Sequence, residues 1–340
     1  MTVPTPLLAH RLKVGDTIGF FSPSSPVTVT APERFTRAQH YLQQQGFVLK
    51  PGSLTQQSDY YRSGTIEQRA AELNNLIRDP DVRCIMSTIG GNNSNALLPY
   101  LDYAALRRDP KIIIGYSDVT ALLAGIYAQT GLITFYGPAL VASFGELPPL
   151  VDQTYHSFKA LLVDTPPLPY HYQLPEFWTD ERLNWDRIET VRPKKLYRNQ
   201  CQFLGAGVIQ GRVIGGNLNT LAGIYGTPWM PSIEAGDILF IEDSLKNIAT
   251  VERSFAHLKL SGVFDKVSAI LLGKHEGFDA AGSGRQPIDV LLEVLGDQQL
   301  PIVNGFDCCH THPMVTLPLG IEITVNFDAQ LISLVEPYLR

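Results

Sequence analysis

The feature that most constrains this chain is the regular alternation of apolar strands and capped helices through its first 130 residues. Thr17–Ser22 (TIGFFS) is an apolar run closed by Pro23 and reads as a buried strand. Thr30-Ala31-Pro32-Glu33 has the form of a capping box with proline in the first turn. The helix it opens places Phe35, Ala38 and Leu42 on one face and stops at Gly46. A strand follows at Phe47–Lys50. Thr65-Ile66-Glu67-Gln68 is a second capping box, and its helix runs to about Arg78 before Asp79-Pro80. Arg83–Ile89 is a strand that enters Gly90-Gly91-Asn92-Asn93 and then a helical stretch. Lys111–Gly115 is a short strand, and Val119–Thr130 a helix. A βαβαβα order predicts a mostly parallel, Rossmann-like or flavodoxin-like sheet with helices on both faces.

Residues 165–204 break this rhythm. Pro166-Pro167-Leu168-Pro169 leads into Phe177-Trp178 and Trp185, among dense charges at Asp180, Glu181, Arg182, Asp186 and Arg187. Loops of this length in compact proteins are functional or disordered, and two tryptophans point to an ordered interdomain loop or lid. From Gly205 onward the chain predicts strands at Gly207–Ile214, Asp237–Asp243, Val267–Leu272, Ile302–Phe306, Ile321–Phe327 and Leu331–Glu336. Helices fall at Ala249–Leu260 and Ile288–Leu295. The expected organisation is an N-terminal α/β domain over 1–164, the loop over 165–204, and a C-terminal mixed α/β domain over 205–340, with more antiparallel character.

Composition narrows the partners. With 340 residues, 44% hydrophobic and 18% charged, the chain has the material for two globular cores. A net charge of −6 gives no electrostatic case for nucleic acid or an anionic membrane. The expected partner is a small molecule, and an anionic one would need a few placed cations. Met1–Val14 carries no signal-peptide pattern, and no stretch reaches the roughly 18 apolar residues of a membrane span, so a cytoplasmic protein is expected. Of the four cysteines, Cys84, Cys201, Cys308 and Cys309, the last two are adjacent, which suits neither a disulfide framework nor CxxC zinc spacing. Reduced thiols are the simplest reading.

The chemistry gathers at a few points. Ser117, in Gly115-Tyr116-Ser117-Asp118, sits between an apolar strand and a helix, the setting of a nucleophile elbow that exposes Oγ. Asp118 replaces the second glycine of the usual motif, and Ser117 or Asp118 could instead simply cap the helix. A serine nucleophile needs a base and a group to orient it. Glu242-Asp243 ends a predicted strand, although acids there also serve as caps. Among eight histidines, His310 and His312 follow the strand PIVNGF in Cys308-Cys309-His310-Thr311-His312. That cluster also admits a zinc reading, against which stands the difficulty of two adjacent cysteines joining one tetrahedral metal. Gly90-Gly91 lacks the spacing of a nucleotide-cofactor loop, but paired glycines let backbone N–H groups approach an oxyanion.

Together these stretches resemble the serine peptidases comprising LD-carboxypeptidases and microcin C immunity peptidases. The resemblance spans nearly the whole chain and rests on FFSPSSPV (Phe20–Val27), STIGGNNSN (Ser87–Asn95), KIIIGYSDVTAL (Lys111–Leu122), FYGP (Phe135–Pro138), GGNLNTL (Gly215–Leu221), GTPW (Gly226–Trp229), LFIEDS (Leu239–Ser244), ILLGKHE (Ile270–Glu276) and HTHPMVTLPLG (His310–Gly320). It implies Ser117 as nucleophile, His310 as general base, Glu242 as its orienter, and an oxyanion hole from Asp118 N–H and the Gly90-Gly91 pair. It implies no metal or cofactor, and a homodimer. One branch releases D-alanine from murein tetrapeptide; the other cuts the amide between an aspartyl group and a modified adenylate. FWTDERLNWD (Phe177–Asp186) is similar to the second branch, which implies that Trp185 stacks on adenine, that Lys246 meets the ribose or phosphate side, and that Asn219 and Glu276 add polar contacts. Each has a purely structural alternative. A rival of another class is a non-catalytic binder of aminoacyl adenylates, which would keep Trp185 and Lys246 without needing Ser117, Glu242 and His310 together.

Overall fold

The computed structural model describes residues 3–185 and 192–340; Asp186 and Arg187 of the charge-rich loop lie outside the described residues. The first half forms the predicted parallel sheet: β1 (Thr17–Phe21), β2 (Val48–Pro51), β3 (Val82–Ser87), β4 (Ile112–Gly115) and β5 (Thr134–Tyr136), in spatial order β5-β4-β3-β1-β2. Helices cover both faces, so the central strands are buried except at Arg83 and read as apolar runs without alternation.

The two predicted helix starts fare differently. At Ile66–Arg78 the box is formed in both directions, Gln68 N–H donating to Thr65 Oγ1 at 3.2 Å and Thr65 N–H to Gln68 Oε1 at 2.9 Å. At the first helix it is not. Thr30 ends a short preceding helix, Val27–Thr30, and Pro32–Gln44 starts from Ala31 with no side-chain cap. Proline at the first position already fixes φ and lacks the N–H that a cap would satisfy.

The second sheet is mixed, as expected. It contains β6 (Tyr170–His171), β9 (Gln202–Leu204), β10 (Val208–Asn217), β11 (Ile238–Glu242), β12 (Ala269–Gly273), β13 (Ile302–Phe306), β15 (Glu322–Asn326) and β16 (Leu331–Leu334), in order β6-β16-β15-β10-β11-β12-β13-β9. It thus takes two short strands, β6 and β9, from the stretch 165–204 that was expected to be loop. The stretch β10 to β13 is parallel and the flanks are antiparallel. The loop region adds a two-stranded ribbon of β7 (Phe177–Trp178) and β8 (Tyr197–Arg198). One connection was not foreseen: β14 (Leu317–Leu319) crosses back to pair antiparallel with β5 in the first sheet.

The helix Thr120–Thr130 is buried from Thr120 to Tyr127, and Asn217 N–H donates to Thr120 Oγ1 at 3.0 Å, so the halves pack directly at the helix that follows Ser117. One contiguous apolar core runs through both. No helix among the described residues is long and apolar enough to cross a membrane. The carboxyl ends of β1, β3 and β4 lead into Ser22–Ser25, Gly90–Asn93 and Tyr116–Asp118. Those of β10 to β13 lead into Asn217, Glu242–Lys246, Lys274–Glu276 and Asp307–His312. Ligands of parallel α/β sheets bind in the crevice outside these ends.

Candidate active site

Ser117 lies two residues past the end of β4 and holds φ at +64°, in the left-handed region that a non-glycine residue rarely occupies. Such strain is characteristic of functional turns that the surrounding structure over-determines. Here the turn is held on both sides. Ser117 N–H donates to Tyr136 Oη at 3.1 Å. Asp118 Oδ2 accepts the N–H groups of Asn93 and Ser94 at 3.1 and 2.9 Å, and Ser94 Oγ donates to Asp118 O at 2.6 Å. The Ser117 turn and the glycine turn are thereby locked together. Gly90 is required by this fit: a Cβ there would stand 2.9 Å from Ser117 Cβ, 3.1 Å from its Oγ and 3.0 Å from Asp118 N.

Across the crevice, Glu242 ends β11 fully buried. Its Oε2 lies 2.6 Å from His310 Nδ1. Its Oε1 accepts from Tyr136 Oη at 2.5 Å and from Asn217 Nδ2 at 3.0 Å. Tyr136 and Asn217 thus hold the carboxylate at the Nδ1 edge of the His310 imidazole, and the Tyr116 ring packs edge-on to that imidazole, 4.9 Å between centroids. Tyr136 bonds both the Ser117 amide and Glu242. No hydrogen bond joins His310 to Ser117 Oγ among the described residues, and catalytic hydrogen bonds commonly tighten only with substrate in place.

The electrostatics follow from burial and pairing. Burial alone would push the His310 pKa down, but the Glu242 charge and hydrogen bond, helped by Glu276 and Asp243, raise it above its ordinary value. Burial alone would raise Glu242; His310, Tyr136 and Asn217 lower it instead, so it is held as a carboxylate. His312, the neighbouring candidate, is different: burial and the nearby Lys194 push it down to about 3. Burial raises both Asp243 and Glu276 above the usual carboxylate range.

A cavity of about 260 Å³ brings together Gly90, Gly91, Ser117, Trp185, Asn219, Lys246, Glu276 and His310. Glu242 and Asp118 stand behind this lining. Lys246 Nζ lies 3.8 Å from Asp243 Oδ1, and the Trp185 ring has the Arg34 guanidinium over one face at 4.3 Å. A larger space of about 620 Å³, lined by Trp178, Tyr197, Lys274 and Asn304, holds none of the predicted residues. Cys308 Sγ approaches Tyr136 O at 3.4 Å and Cys309 Sγ meets Thr311 Oγ1 at 3.2 Å. No group of three or more His, Cys, Asp or Glu side chains among the described residues is placed to hold a metal.

Comparison with known proteins gives the family of the chain. Residues 18–137 match the model for the LD-carboxypeptidase N-terminal domain and residues 210–325 that for the LD-carboxypeptidase C-terminal domain. The chain is 64% identical over 334 residues to the microcin C7 self-immunity protein MccF of Escherichia coli, covering 98% of this chain and 97% of that one. The chain belongs to the LD-carboxypeptidase family. It is also 63% identical to a putative carboxypeptidase of Vibrio cholerae, with 98% and 99% covered. Its fold superposes on MccF solved in complex with aspartyl sulfamoyl adenosine, with a TM-score of 0.97, 64% identity, and 98% and 100% covered. As a member of the LD-carboxypeptidase family it is a hydrolase of the serine-peptidase type.

Sequence reasoning left out several side chains that organise this family site. Tyr136 and Asn217 lie inside the stretches FYGP and GGNLNTL without a role assigned from sequence, yet both hold Glu242. Arg34, Glu146 and Lys194 gave no signal at all, because their meeting depends on segments more than 40 residues apart.

Proposed function

We propose that this LD-carboxypeptidase-family chain hydrolyses the amide joining an aspartyl group to a nucleoside-bearing leaving group, through a triad of Ser117, His310 and Glu242. The observation that carries the reading is the buried Glu242 carboxylate 2.6 Å from His310 Nδ1, in a site that shares one cavity with the strained Ser117. That bond leaves Nε2 to take the Ser117 Oγ proton as Oγ adds to the aspartyl carbonyl. The oxyanion faces the N–H groups of Asp118 and the Gly90-Gly91 turn. Collapse breaks the C–N bond, and the departing nitrogen takes the proton from His310. Water then adds to the acyl-enzyme, giving one proton to His310, and expulsion of Ser117 Oγ, reprotonated by His310, frees aspartate. Ser117, His310 and Glu242 suffice for these steps, and no cofactor is invoked.

Nucleoside recognition falls to Trp185, whose ring is backed by Arg34 and offers its other face to a base. In this reading Lys246 meets the ribose or phosphate side, and Asn219 and Glu276 add polar contacts. The ligand class is supported by the relation to MccF, solved with aspartyl sulfamoyl adenosine. The same reading takes the enzyme to be cytoplasmic and homodimeric. It is tested by hydrolysis of aspartyl sulfamoyl adenosine and of murein tetrapeptide side by side. Cleavage of the first, with little D-alanine release from the second, is expected. Release of D-alanine with the nucleoside compound left intact would instead assign the chain to murein peptides.

A further inference from the structure

Behind the aromatic side of the cavity lies a buried cluster of charges that the proposed chemistry does not use. Glu146 is 4% exposed and Arg34 3%. Glu146 Oε2 accepts from Arg34 Nη2 at 3.0 Å and from Lys194 Nζ at 2.6 Å, and its Oε1 accepts from the Leu147 amide at 2.9 Å. His312 Nε2 stands 3.8 Å from Oε2. Arg34 also donates from Nε to Val141 O at 3.0 Å and from Nη2 to Ala142 O at 2.7 Å. Its guanidinium is therefore held rigidly by groups from one short segment, 141–146, and that fixed plane is what Trp185 rests on, 4.3 Å away. Glu146 thus meets Lys194 directly and Trp185 through Arg34.

A buried ion cluster is a poor means of gaining stability, since packed apolar residues of like volume serve as well or better. It is a good means of fixing geometry, because each charge is costly to leave unpaired. We infer that Glu146 is a positioning residue for nucleoside recognition: it fixes Arg34 against one face of Trp185 and anchors Lys194, so that the tryptophan plane is held ready for the base. This deepens the nucleoside reading above and rests on it.

The test pairs kinetics with binding. In the active enzyme, Glu146→Gln should raise KM for aspartyl sulfamoyl adenosine about 5- to 30-fold, while kcat stays within about threefold, the pattern of lost uniform binding. On a Ser117→Ala background the same change should raise the calorimetric Kd for adenosine monophosphate by a like factor. Added to Trp185→Ala, Glu146→Gln should cost less than about twofold more, because its route to the ligand is already gone. Lys194→Met removes one cation and leaves the Arg34–Glu146 pair, so it gives a smaller rise in KM and carries the test if Glu146→Gln does not fold. Unchanged KM in the folded variants, or losses fully additive with Trp185→Ala, would overturn the inference. If Trp185→Ala itself leaves KM and AMP affinity unaltered, the nucleoside reading fails with it. A sensitive Trp185 beside an insensitive Glu146 and Lys194 sinks only the positioning role.

Discussion

Ser117 is set apart first by its backbone. A positive φ costs a residue bearing a Cβ roughly 1–2 kcal/mol, and glycine almost nothing. Ser117→Ala and Ser117→Gly both lack Oγ, so both should lose on the order of 10⁶-fold in kcat. They should differ in stability, with glycine the more stable by about 1 kcal/mol in urea unfolding; an alanine variant as stable as the glycine one would remove strain from the account. His310 has its own signature. Its folded pKa lies above the ordinary 6.5 or so, because Glu242 outweighs burial. As a base it must be neutral, so kcat/KM should fall as pH drops through a value above 6.5. Glu242→Gln removes the opposing charge and leaves burial dominant, which should move that acid limb to lower pH and cut kcat by on the order of 10⁴. In stability the signs are opposite for the two partners. The raised His310 contributes most at low pH and loses its contribution as pH rises through its folded value. The lowered Glu242 contributes above its ordinary range and loses its share as pH falls through its folded value. An acid limb unmoved by Glu242→Gln would mean another group titrates there.

Among elements, the two turns at the carboxyl ends of β3 and β4 act as one unit, joined through Asp118. Asp118→Ala would leave the Ser94 amide without its acceptor and the Asn93 amide with only the longer contact to Ser24 Oγ at 3.3 Å. Stability should drop by about 1–3 kcal/mol, and kcat should fall with it as Gly90 drifts from Ser117. Asp118→Asn retains a carbonyl acceptor and should recover most of both. Stability lost with kcat untouched would show that the glycine turn does no work in the reaction. The same scale explains which local signals were legible. TIEQ at Thr65–Gln68 became a true capping box because both partners lie three residues apart and need nothing else. The similar pattern at Thr30–Glu33 did not, because Thr30 was drawn into the preceding turn and Pro32 needed no cap.

At the scale of the whole molecule, the site exists only where the carboxyl ends of two sheets face each other, and β14 ties the halves by crossing into the first sheet. Residues 1–204 expressed alone should therefore aggregate or remain unfolded, since β5 would be left an open apolar edge; a monomeric, cooperatively folding fragment by circular dichroism would refute this. Co-expression with 205–340 should restore activity only if the two assemble. The sequence by itself determined the strand–helix order, the parallel first sheet, the mixed second one, and the placing of Ser117, Glu242 and His310 at or just past strand ends. These follow from periodicity, caps and glycine turns, which act within a few residues. Tertiary structure alone decided that Tyr136 would span Ser117 and Glu242, that Asn217 would hold the same carboxylate, and that Glu146 would gather Arg34 and Lys194 beneath Trp185. It also gives the two histidines different surroundings: His310 meets a carboxylate in hydrogen-bond contact and is raised, while His312, two residues on, is buried near Lys194 and pushed down to about 3. Charges and hydrogen bonds act through space over a few ångströms, and no local pattern encodes which distant segments will come that close.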